Sequence, residues 1–253
     1  MTSSELTAID EAVGVCAAAA VAGITVRLAG GLAIQYLTPE FPPRGGDSQD
    51  LDLATMSSDR RSLTQFLAGR GYVADKTFNA LYGHKQLYFQ SAETGRSLDV
   101  LVDRLHMCHT VEFAGRLQRM PVTLDLTDLL LSKLQIVELN EKDAQDVLYL
   151  CSAYPVREGD EPGTIGLDRI RPIVGNDWGW WRTATLNLER ITALATGEGQ
   201  GLVPAGGQHH AVDQLEVLRA AMETAPKSLR WKARARVGER VRWYEVPEET
   251  PHH

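Results

Sequence analysis

The stretch DLDLA at residues 50–54 constrains the fold more than any other part of this sequence. Side chains alternate across a β-strand with a period of two, so Leu51 and Leu53 predict one buried face. Asp50 and Asp52 then project together from the opposite face, where two like charges repel unless a cation lies near them. The pattern therefore predicts a strand that carries a pair of carboxylates on one surface.

A second apolar strand carries another aspartate. In SLDVLVD (97–103), Asp99 lies between apolar residues, and the alternation turns its side chain away from theirs. If the two strands are neighbours, Asp50, Asp52 and Asp99 converge, as carboxylates do in sites that hold two Mg²⁺ ions about 3.5–4 Å apart. The alternative is a set of exposed aspartates on half-solvated strands, which a DxD pattern alone does not exclude.

Two glycines come before these strands. Gly30 and Gly31, in RLAGGLAIQYL (27–37), follow a short predicted strand and precede a short predicted helix. Such a turn lets backbone N–H groups approach a phosphate at the positive end of the helix. The same two glycines also fit a plain strand-to-helix turn that uses only their backbone freedom.

Two predicted helices, at 125–139 and 141–153, carry the next candidates. In the first, Lys133 lies in the apolar stripe, so its ammonium must reach solvent or bind an anion. In the second, Asp143 fits a carboxylate that complements the helix dipole near the N-cap. Asp146 lies one turn further on, beside apolar residues, and is the better candidate to hold Lys133 in position.

These features together resemble the polymerase-β-like nucleotidyltransferases, in which a Gly-Gly turn, a DxD strand and a third aspartate follow in this order. DLLLSKLQI (128–136) and KDAQDVLYL (142–150) resemble the lysine-bearing helix and the following DxxD helix of the AbiEii/MenT group of bacterial nucleotidyltransferase toxins. The resemblance covers residues 27–151. It implies an α+β fold, with a nucleotidyltransferase core of mixed sheet and flanking helices followed by a mostly helical C-terminal region.

The resemblance implies that NMP is transferred from an NTP to an acceptor hydroxyl and that pyrophosphate is released. The implied catalytic residues are Asp50, Asp52, Asp99, Lys133 and Asp146. The implied nucleotide-binding residues are Gly30, Gly31, Arg44, Ser48 and Lys133. The three strand aspartates would hold two Mg²⁺ ions together with the NTP. Arg44 and Ser48 lie in a loop rich in Pro and Gly, where residues without a binding role are more common.

Composition bears on the partners. The net charge of the 253 residues is −7, which argues against general nucleic-acid affinity. No apolar run approaches the roughly 20 residues of a membrane helix, so we expect no membrane partner and a cytoplasmic location. Residues 227–242 nevertheless include seven basic residues and one acid, interleaved with tryptophan. This pattern is typical of single-strand binding and also of a solvated helix. The basic residues expected to contact an RNA acceptor are Lys227, Arg230, Lys232, Arg234 and Arg236.

The resemblance names a tRNA 3′ end as the acceptor and a toxin–antitoxin system, with an antitoxin protein as partner, as the setting. Two alternatives stay open: a nucleotidyltransferase that modifies a small molecule such as an antibiotic, and a non-catalytic protein that binds a nucleotide or a partner on this fold. We expect the α/β core at residues 1–120 and a helical C-terminal domain with a basic tail at 121–253.

The remaining patterns of the sequence indicate structural roles rather than a functional site. HMCH at 106–109 contains three metal-binding side chains, but its spacing fits no zinc motif. Trp178, Trp180 and Trp181 begin a predicted helix and are expected to pack the C-terminal core. The remaining predicted helices lie at 4–22, 32–37, 58–70, 177–196 and 211–225. The predicted strands lie at 24–28, 50–54, 72–78, 85–90, 97–102 and 110–117.

Overall fold

The structure, a computed structural model, describes residues 7–42, 50–197 and 210–247. The chain divides into two compact units. The first, called the N-terminal unit below, comprises the residues up to 105 together with 112–125. The second, called the C-terminal unit, comprises 106–111 and the residues from 126 onward. The division into domains expected near residue 120 stays a prediction.

The N-terminal unit is built on a five-stranded mixed sheet. Its strands are β1 (Val26–Leu28), β2 (Leu51–Thr55), β3 (Tyr72–Ala74), β4 (Gln86–Ser91) and β5 (Ser97–Val102). Its helices are α1 (Ala8–Val21), α2 (Gly30–Leu37), α3 (Arg60–Gly69) and α4 (Lys76–Tyr82). The strand order is β1-β2-β5-β4-β3, with β2 and β5 parallel and the other neighbours antiparallel. The expected mixed sheet with helices is confirmed.

The period-two pattern of β2 and β5 is confirmed by burial. Leu51 and Leu53 are fully buried, and Leu98 and Val100 on the neighbouring strand are fully buried as well. These residues lie on one face of the sheet because the register aligns Leu51 with Leu98 and Leu53 with Val100. The intervening aspartates are thereby held on the opposite face by the apolar packing behind them.

A buried acid connects α1 to the far side of the sheet. Glu11 accepts hydrogen bonds from Tyr72 Oη at 2.7 Å and from Arg96 Nη1 at 2.7 Å, and Thr94 also donates to it. Burial of Glu11 raises the pKa of its carboxyl, but the hydrogen bonds from Tyr72, Arg96 and Thr94 outweigh burial and lower the pKa below its usual value. The charged form of Glu11 therefore stabilises the packing of α1 on the sheet.

One strand prediction was too long. The sequence predicted a strand over 72–78, whereas β3 ends at Ala74 and α4 begins at Lys76. Asp75 is the reason, because its carboxylate accepts a hydrogen bond from the Phe78 N–H at 2.8 Å and so caps the new helix. The strand expected over 110–117 is likewise short and spans Thr110–Glu112.

The C-terminal unit is mostly helical in its described part, as expected. Strands β6 (Arg104–His106) and β7 (Thr110–Glu112) occur where the chain passes between the units. The helices are α5 (Leu126–Leu134), α6 (Glu141–Ala153), α7 (Leu167–Asn176), α8 (Trp178–Thr196), α9 (Ala211–Thr224) and α10 (Leu229–Val237). Between α6 and α7, β8 (Val156–Arg157) pairs in parallel with β9 (Ile165–Gly166). Helix α7, which contains Pro172, was not predicted.

Over the described ranges, no helix combines the length and the apolar character that crossing a membrane requires.

Candidate functional site

The parallel pairing of β2 and β5 brings two aspartates side by side. In the register of these strands, Asp52 lies directly opposite Asp99. Asp99 is 5% exposed and Asp52 is half-buried, so both carboxylates lie at the surface of the sheet rather than in open solvent. Two neighbouring carboxylates in this setting are suited to a divalent cation, since Mg²⁺ is commonly bound through one or two carboxylates plus substrate phosphates.

Gly30 makes room for one of these carboxylates. Its φ of +61° lies in the left-handed region, and a Cβ at this position would come within 2.1 Å of Asp52 Oδ2. The backbone is also tied to the strand, because the Ala29 N–H donates to the Asp52 carbonyl at 2.7 Å. Only glycine fits both the backbone conformation and the space beside Asp52.

Helix α2 begins at Gly30 and Gly31, next to the Asp52 carboxylate. Its N-cap residue, Ala29, makes no side-chain hydrogen bond to the first turn. The N–H groups at the start of a helix favour anions such as phosphate when no capping side chain satisfies them. The N–H donors at the start of α2 therefore lie next to the Asp52 carboxylate of strand β2.

Asp50 is placed differently from the other two aspartates. It is exposed, just before the start of β2, and its Oδ1 accepts a hydrogen bond from the hydroxyl of Ser97 on β5. Within the described ranges, no group of three or more His, Cys, Asp or Glu side chains is arranged to hold a metal ion. The donor chemistry at Asp52 and Asp99 thus fits a divalent ion whose remaining ligands come from the substrate.

Gln86 was missed by the sequence analysis. Its side-chain amide on β4 donates to Asp99 Oδ1 at 2.5 Å. The alternation along β4 was visible in the sequence, but the antiparallel pairing of β4 with β5 was not. Two expected phosphate contacts, Arg44 and Ser48, lie outside the described residues.

In the C-terminal unit, Lys133 lies between two carboxylates. Its Nζ is 2.7 Å from Asp143 Oδ1 and 2.9 Å from Asp146 Oδ2. Burial lowers the pKa of Lys133, but the charges of Asp146 and then Asp143 outweigh burial and raise the pKa above its usual value. Lys133 is therefore a buried ammonium whose charge is balanced by helix α6.

The sequence interpretation of Asp143 was incomplete. As expected, its N–H is capped by Asn140 Oδ1 at 2.9 Å, at the start of α6. Its carboxylate additionally contacts Lys133, as does that of Asp146. Residues three apart share one face of a helix, so the spacing of the two aspartates was the available signal.

Comparisons with known proteins give only distant likenesses. No protein-family model matches the chain, and no curated protein matches its sequence. A crystal structure of ANT(2″)-Ia in complex with adenylyl-2″-tobramycin is 14% identical, with a TM-score of 0.36, over 83% of this chain and 93% of that chain. An antigenic nucleotidyltransferase-like protein from Paracoccidioides brasiliensis is 13% identical, with a TM-score of 0.39, over 87% and 94%.

A third solved structure, the STING-associated CdnE c-di-GMP synthase from Capnocytophaga granulosa, is 14% identical, with a TM-score of 0.27, over 85% of this chain and 82% of that chain. The identities and TM-scores of all three are low. They establish neither a family nor an activity for this chain, and the proposals below depend on its own residues.

The basic residues near the C-terminus fall into two groups. Lys227 Nζ donates to the Met222 carbonyl, and Arg234 donates to the carbonyls of Gly238 and Val241. These two cations therefore hold the local backbone. The basic side chains of this segment that are exposed are Arg230, Lys232, Arg236, Arg240 and Arg242.

The histidines of the HMCH segment have protein partners. His106 Nε2 lies 2.9 Å from Glu245 Oε2, and His109 Nε2 lies 2.8 Å from the Thr183 hydroxyl. Burial lowers the pKa of His109 to about 4, against the opposing charges of Asp177 and Glu245. His109 is thus a neutral, buried side chain at neutral pH.

Proposed function

We propose that the protein is a Mg²⁺-dependent nucleotidyltransferase that transfers NMP from an NTP to an acceptor hydroxyl. The observation that carries the proposal is the placement of Asp52 opposite Asp99, with Gly30 leaving space beside the Asp52 carboxylate. Carboxylates at neighbouring positions next to uncapped N–H groups of a helix suit a metal-bound triphosphate. The order of these motifs along the chain adds support through the resemblance described above.

In the proposed reaction, Asp52 and Asp99 would hold the metal through carboxylate oxygens, and Asp50 would contribute from its position just before β2. When bound, the divalent ion would supply positive charge that favours attack on the α-phosphorus. The N–H groups of Gly30 and Gly31 would donate to phosphate oxygens.

Asp99 would accept the proton of the attacking hydroxyl. A bond forms between the acceptor oxygen and the α-phosphorus, the bond from that phosphorus to the oxygen bridging to the β-phosphate breaks, and pyrophosphate leaves. Gln86 would hold Asp99 in position through the hydrogen bond to Oδ1.

For the acceptor we propose the 3′ end of an RNA. Support comes from the exposed cations of helix α10, Arg230, Lys232 and Arg236, which are suited to phosphates. Lys227 and Arg234 would support this surface indirectly, since they hold its backbone. The choice of tRNA, the toxin–antitoxin setting and an antitoxin partner come from the sequence resemblance alone. An antibiotic-sized acceptor is the competing hypothesis, and it predicts no dependence on salt.

The test is transfer from each α-labelled NTP to total cellular RNA in the presence of Mg²⁺. We expect labelled RNA with one of the four NTPs, and a yield that falls as salt increases. Asp52→Asn and Asp99→Asn should each lower transfer by about 100-fold or more, because removing one charge-stabilising group has effects of that order.

Asp10→Asn is the matched control, since Asp10 is an exposed aspartate of the same unit on helix α1. It should leave transfer unchanged. Full transfer by an Asp52→Asn/Asp99→Asn double variant would overturn the proposed site. Label found only in a small-molecule acceptor would support the proposed transfer of NMP and would overturn RNA as the acceptor.

A further inference from the structure

The C-terminal unit contains a cavity with a volume of about 770 Å³. Cavities that bind small ligands commonly measure about 300–1,000 Å³. The wall is formed by residues 108–110, the junction of α7 and α8, helix α10 and the segment 242–245, all of which belong to this unit. The cavity is therefore large enough for a ligand of the size of a nucleotide.

The wall is rich in aromatic rings that hold one another in place. Trp178, Trp231, Trp243 and Tyr244 line the cavity; Trp178 is buried, and the other three are half-buried. The ring centroids of Trp178 and Trp243 are 6.0 Å apart, and those of Trp243 and Tyr244 are 5.4 Å apart. The Trp243 indole N–H also donates to the Thr183 hydroxyl at 3.0 Å. Rings fixed in this way lose little freedom when a planar ligand stacks on them.

Positive charge is in excess around the cavity. The lining acids already have partners: Asp177 accepts hydrogen bonds from two N–H groups at the start of α8, and Glu245 contacts His106. Arg230 and Arg242 also line the cavity and are exposed, and among the described residues neither forms an ion pair. An anionic group in the cavity would thus meet two available guanidinium groups.

These features discriminate between classes of ligand. Aromatic cages can bind cations, but here the protein's own cations already lie over three of the rings. Lys227 lies 5.1 Å from the Trp231 ring centroid, Arg234 lies 4.8 Å from that of Trp178, and Arg242 lies 5.9 Å from that of Tyr244. A further cation would also be repelled by the arginines. A planar ring that carries an anion fits both the aromatic wall and the charge.

We infer that this cavity binds a nucleotide, with the base stacked on the aromatic wall and the phosphate bound by Arg230 and Arg242. Bases stack on aromatic side chains with little sequence preference, and guanidinium groups bind phosphate in a bidentate manner. A free nucleoside monophosphate and an unpaired nucleotide in RNA share this chemistry. The inference does not depend on the transfer chemistry proposed above, because Gly30, Asp52 and Asp99 take no part in it, although Arg230 also belongs to the surface proposed for RNA.

Tryptophan fluorescence gives a specific readout. All five tryptophans of the chain, at 178, 180, 181, 231 and 243, lie in the C-terminal unit. Titration of the full chain without Mg²⁺, using AMP, CMP, GMP, UMP and a single-stranded hexaribonucleotide, should give saturable quenching. The best ligand should bind at least about tenfold more tightly than ribose 5-phosphate or a nucleoside, since each of these lacks one half of the contacts.

Charge variants test the phosphate contact. Arg230→Gln/Arg242→Gln should raise the Kd by about tenfold or more, because it removes two charge-assisted contacts. Arg157→Gln/Arg219→Gln is the matched control, since it removes the same charge from exposed residues of the C-terminal unit that do not line the cavity. It should change the Kd by less than about twofold at physiological salt. Asp52→Asn should leave quenching unchanged, which separates this inference from the proposed catalytic site.

Each outcome of these titrations either supports or overturns the inference. Saturable quenching by a mononucleotide assigns a free nucleotide to the cavity, and quenching by the hexaribonucleotide alone assigns an RNA nucleotide; both support the inference. Quenching by neither ligand overturns it. Equal Kd values for ribose 5-phosphate and the best nucleotide, or equal losses in the two arginine double variants, also overturn it, because they would reduce binding to diffuse charge.

Discussion

The two units place pairs of carboxylates in opposite settings. In the C-terminal unit, Asp143 and Asp146 flank the buried ammonium of Lys133 at 2.7 and 2.9 Å. In the N-terminal unit, Asp52 and Asp99 are instead side by side in the strand register, where the contacts of Asp99 include the neutral amide of Gln86. Aspartates thus balance a positive charge in the C-terminal unit, whereas two aspartates of the N-terminal unit lie next to each other on one face of the sheet.

The difference shows how acids that balance a buried charge differ from acids that are candidates for a ligand site. The acids around Lys133 stabilise a charge that burial opposes, and they raise the pKa of Lys133. Their contribution to stability is present at neutral pH and is lost only as the pH rises through that raised pKa. Two neighbouring carboxylates on paired strands repel each other instead, and a cationic ligand would stabilise this arrangement.

The largest effect is expected when the C-terminal pair is broken. Asp146→Ala should lower the free energy of unfolding by about 3 kcal/mol, the lower end of the range for breaking a buried ion pair, because Asp143 still contacts Lys133. The Asp146 side chain is fully buried, so water does not replace the lost carboxylate. Urea denaturation followed by tryptophan fluorescence measures the change, since all five tryptophans lie in this unit.

Asp213→Ala provides the control. Asp213 also pairs with a basic residue, His210, at 3.3 Å, but its side chain is 73% exposed. Exposed pairs contribute little, so the change should stay within about 1 kcal/mol. A comparable loss in the two variants would contradict the distinction between balanced buried acids and surface acids.

The sequence predicted the parts of this comparison that depend on local geometry. Alternation along a strand is a local property, so the buried leucines of β2 and the outward direction of Asp52 were visible in the residues alone. The sequence predicted that Asp52 and Asp99 lie close together only on the condition that their strands are neighbours. In the structure β5 lies next to β2, although two other strands come between them in the chain. Strand order depends on long-range packing, which no short pattern contains.

Long-range packing also explains why the sequence did not predict the contact of Asp143 with Lys133, whereas the overlong strand prediction in the N-terminal unit has a local cause. Asp143 was interpreted from its place at the start of α6, and its contact with Lys133 depends on the packing of α5 against α6. The strand predicted over 72–78 followed its aromatic residues, whereas the capping bond of Asp75 to Phe78 ended it early. Asp75 is a local helix-capping signal that a strand over 72–78 leaves out.

A second prediction sharpens the comparison within the C-terminal unit, where Lys133 is kept charged and His109 is kept neutral. Burial lowers the pKa of His109 to about 4, while Asp177 and Glu245 act in the opposite direction. The unfolded chain, with an ordinary histidine pKa of about 6.5, then binds more protons between these values. Stability should therefore fall by about 3 kcal/mol as the pH is lowered from 6.5 to 4.

Urea denaturation at several pH values, followed by tryptophan fluorescence, measures this fall. His109→Gln removes the titrating group and should flatten the curve between pH 6.5 and 4, although the acids of the unit will leave a residual slope. An unchanged slope in this variant would show that the acid sensitivity arises elsewhere.

The smallest stability effect, and the sharpest test of the N-terminal half of the comparison, concerns Gly30. Gly30 and Gly23 both have positive φ, at +61° and +73°, so alanine at either position should cost about 1–2 kcal/mol of stability. The two sites differ in their surroundings. A Cβ at Gly23 would meet no atom within 4 Å, whereas a Cβ at Gly30 would come within 2.1 Å of Asp52 Oδ2.

The Asp52 carboxylate can rotate away from an alanine at position 30, but Asp52 Cβ, at 3.1 Å from the added Cβ, moves only with the backbone of β2. Gly30→Ala should therefore lie at the upper end of this stability range and Gly23→Ala at its lower end, while nucleotide transfer falls about 100-fold in Gly30→Ala alone, as expected for a displaced reacting group. Equal transfer by the two variants would mean that the position of the Asp52 carboxylate does not matter to the chemistry. Asp52 and Asp99 would then remain neighbours in the strand register without a role in transfer, and the proposed catalytic site would be overturned.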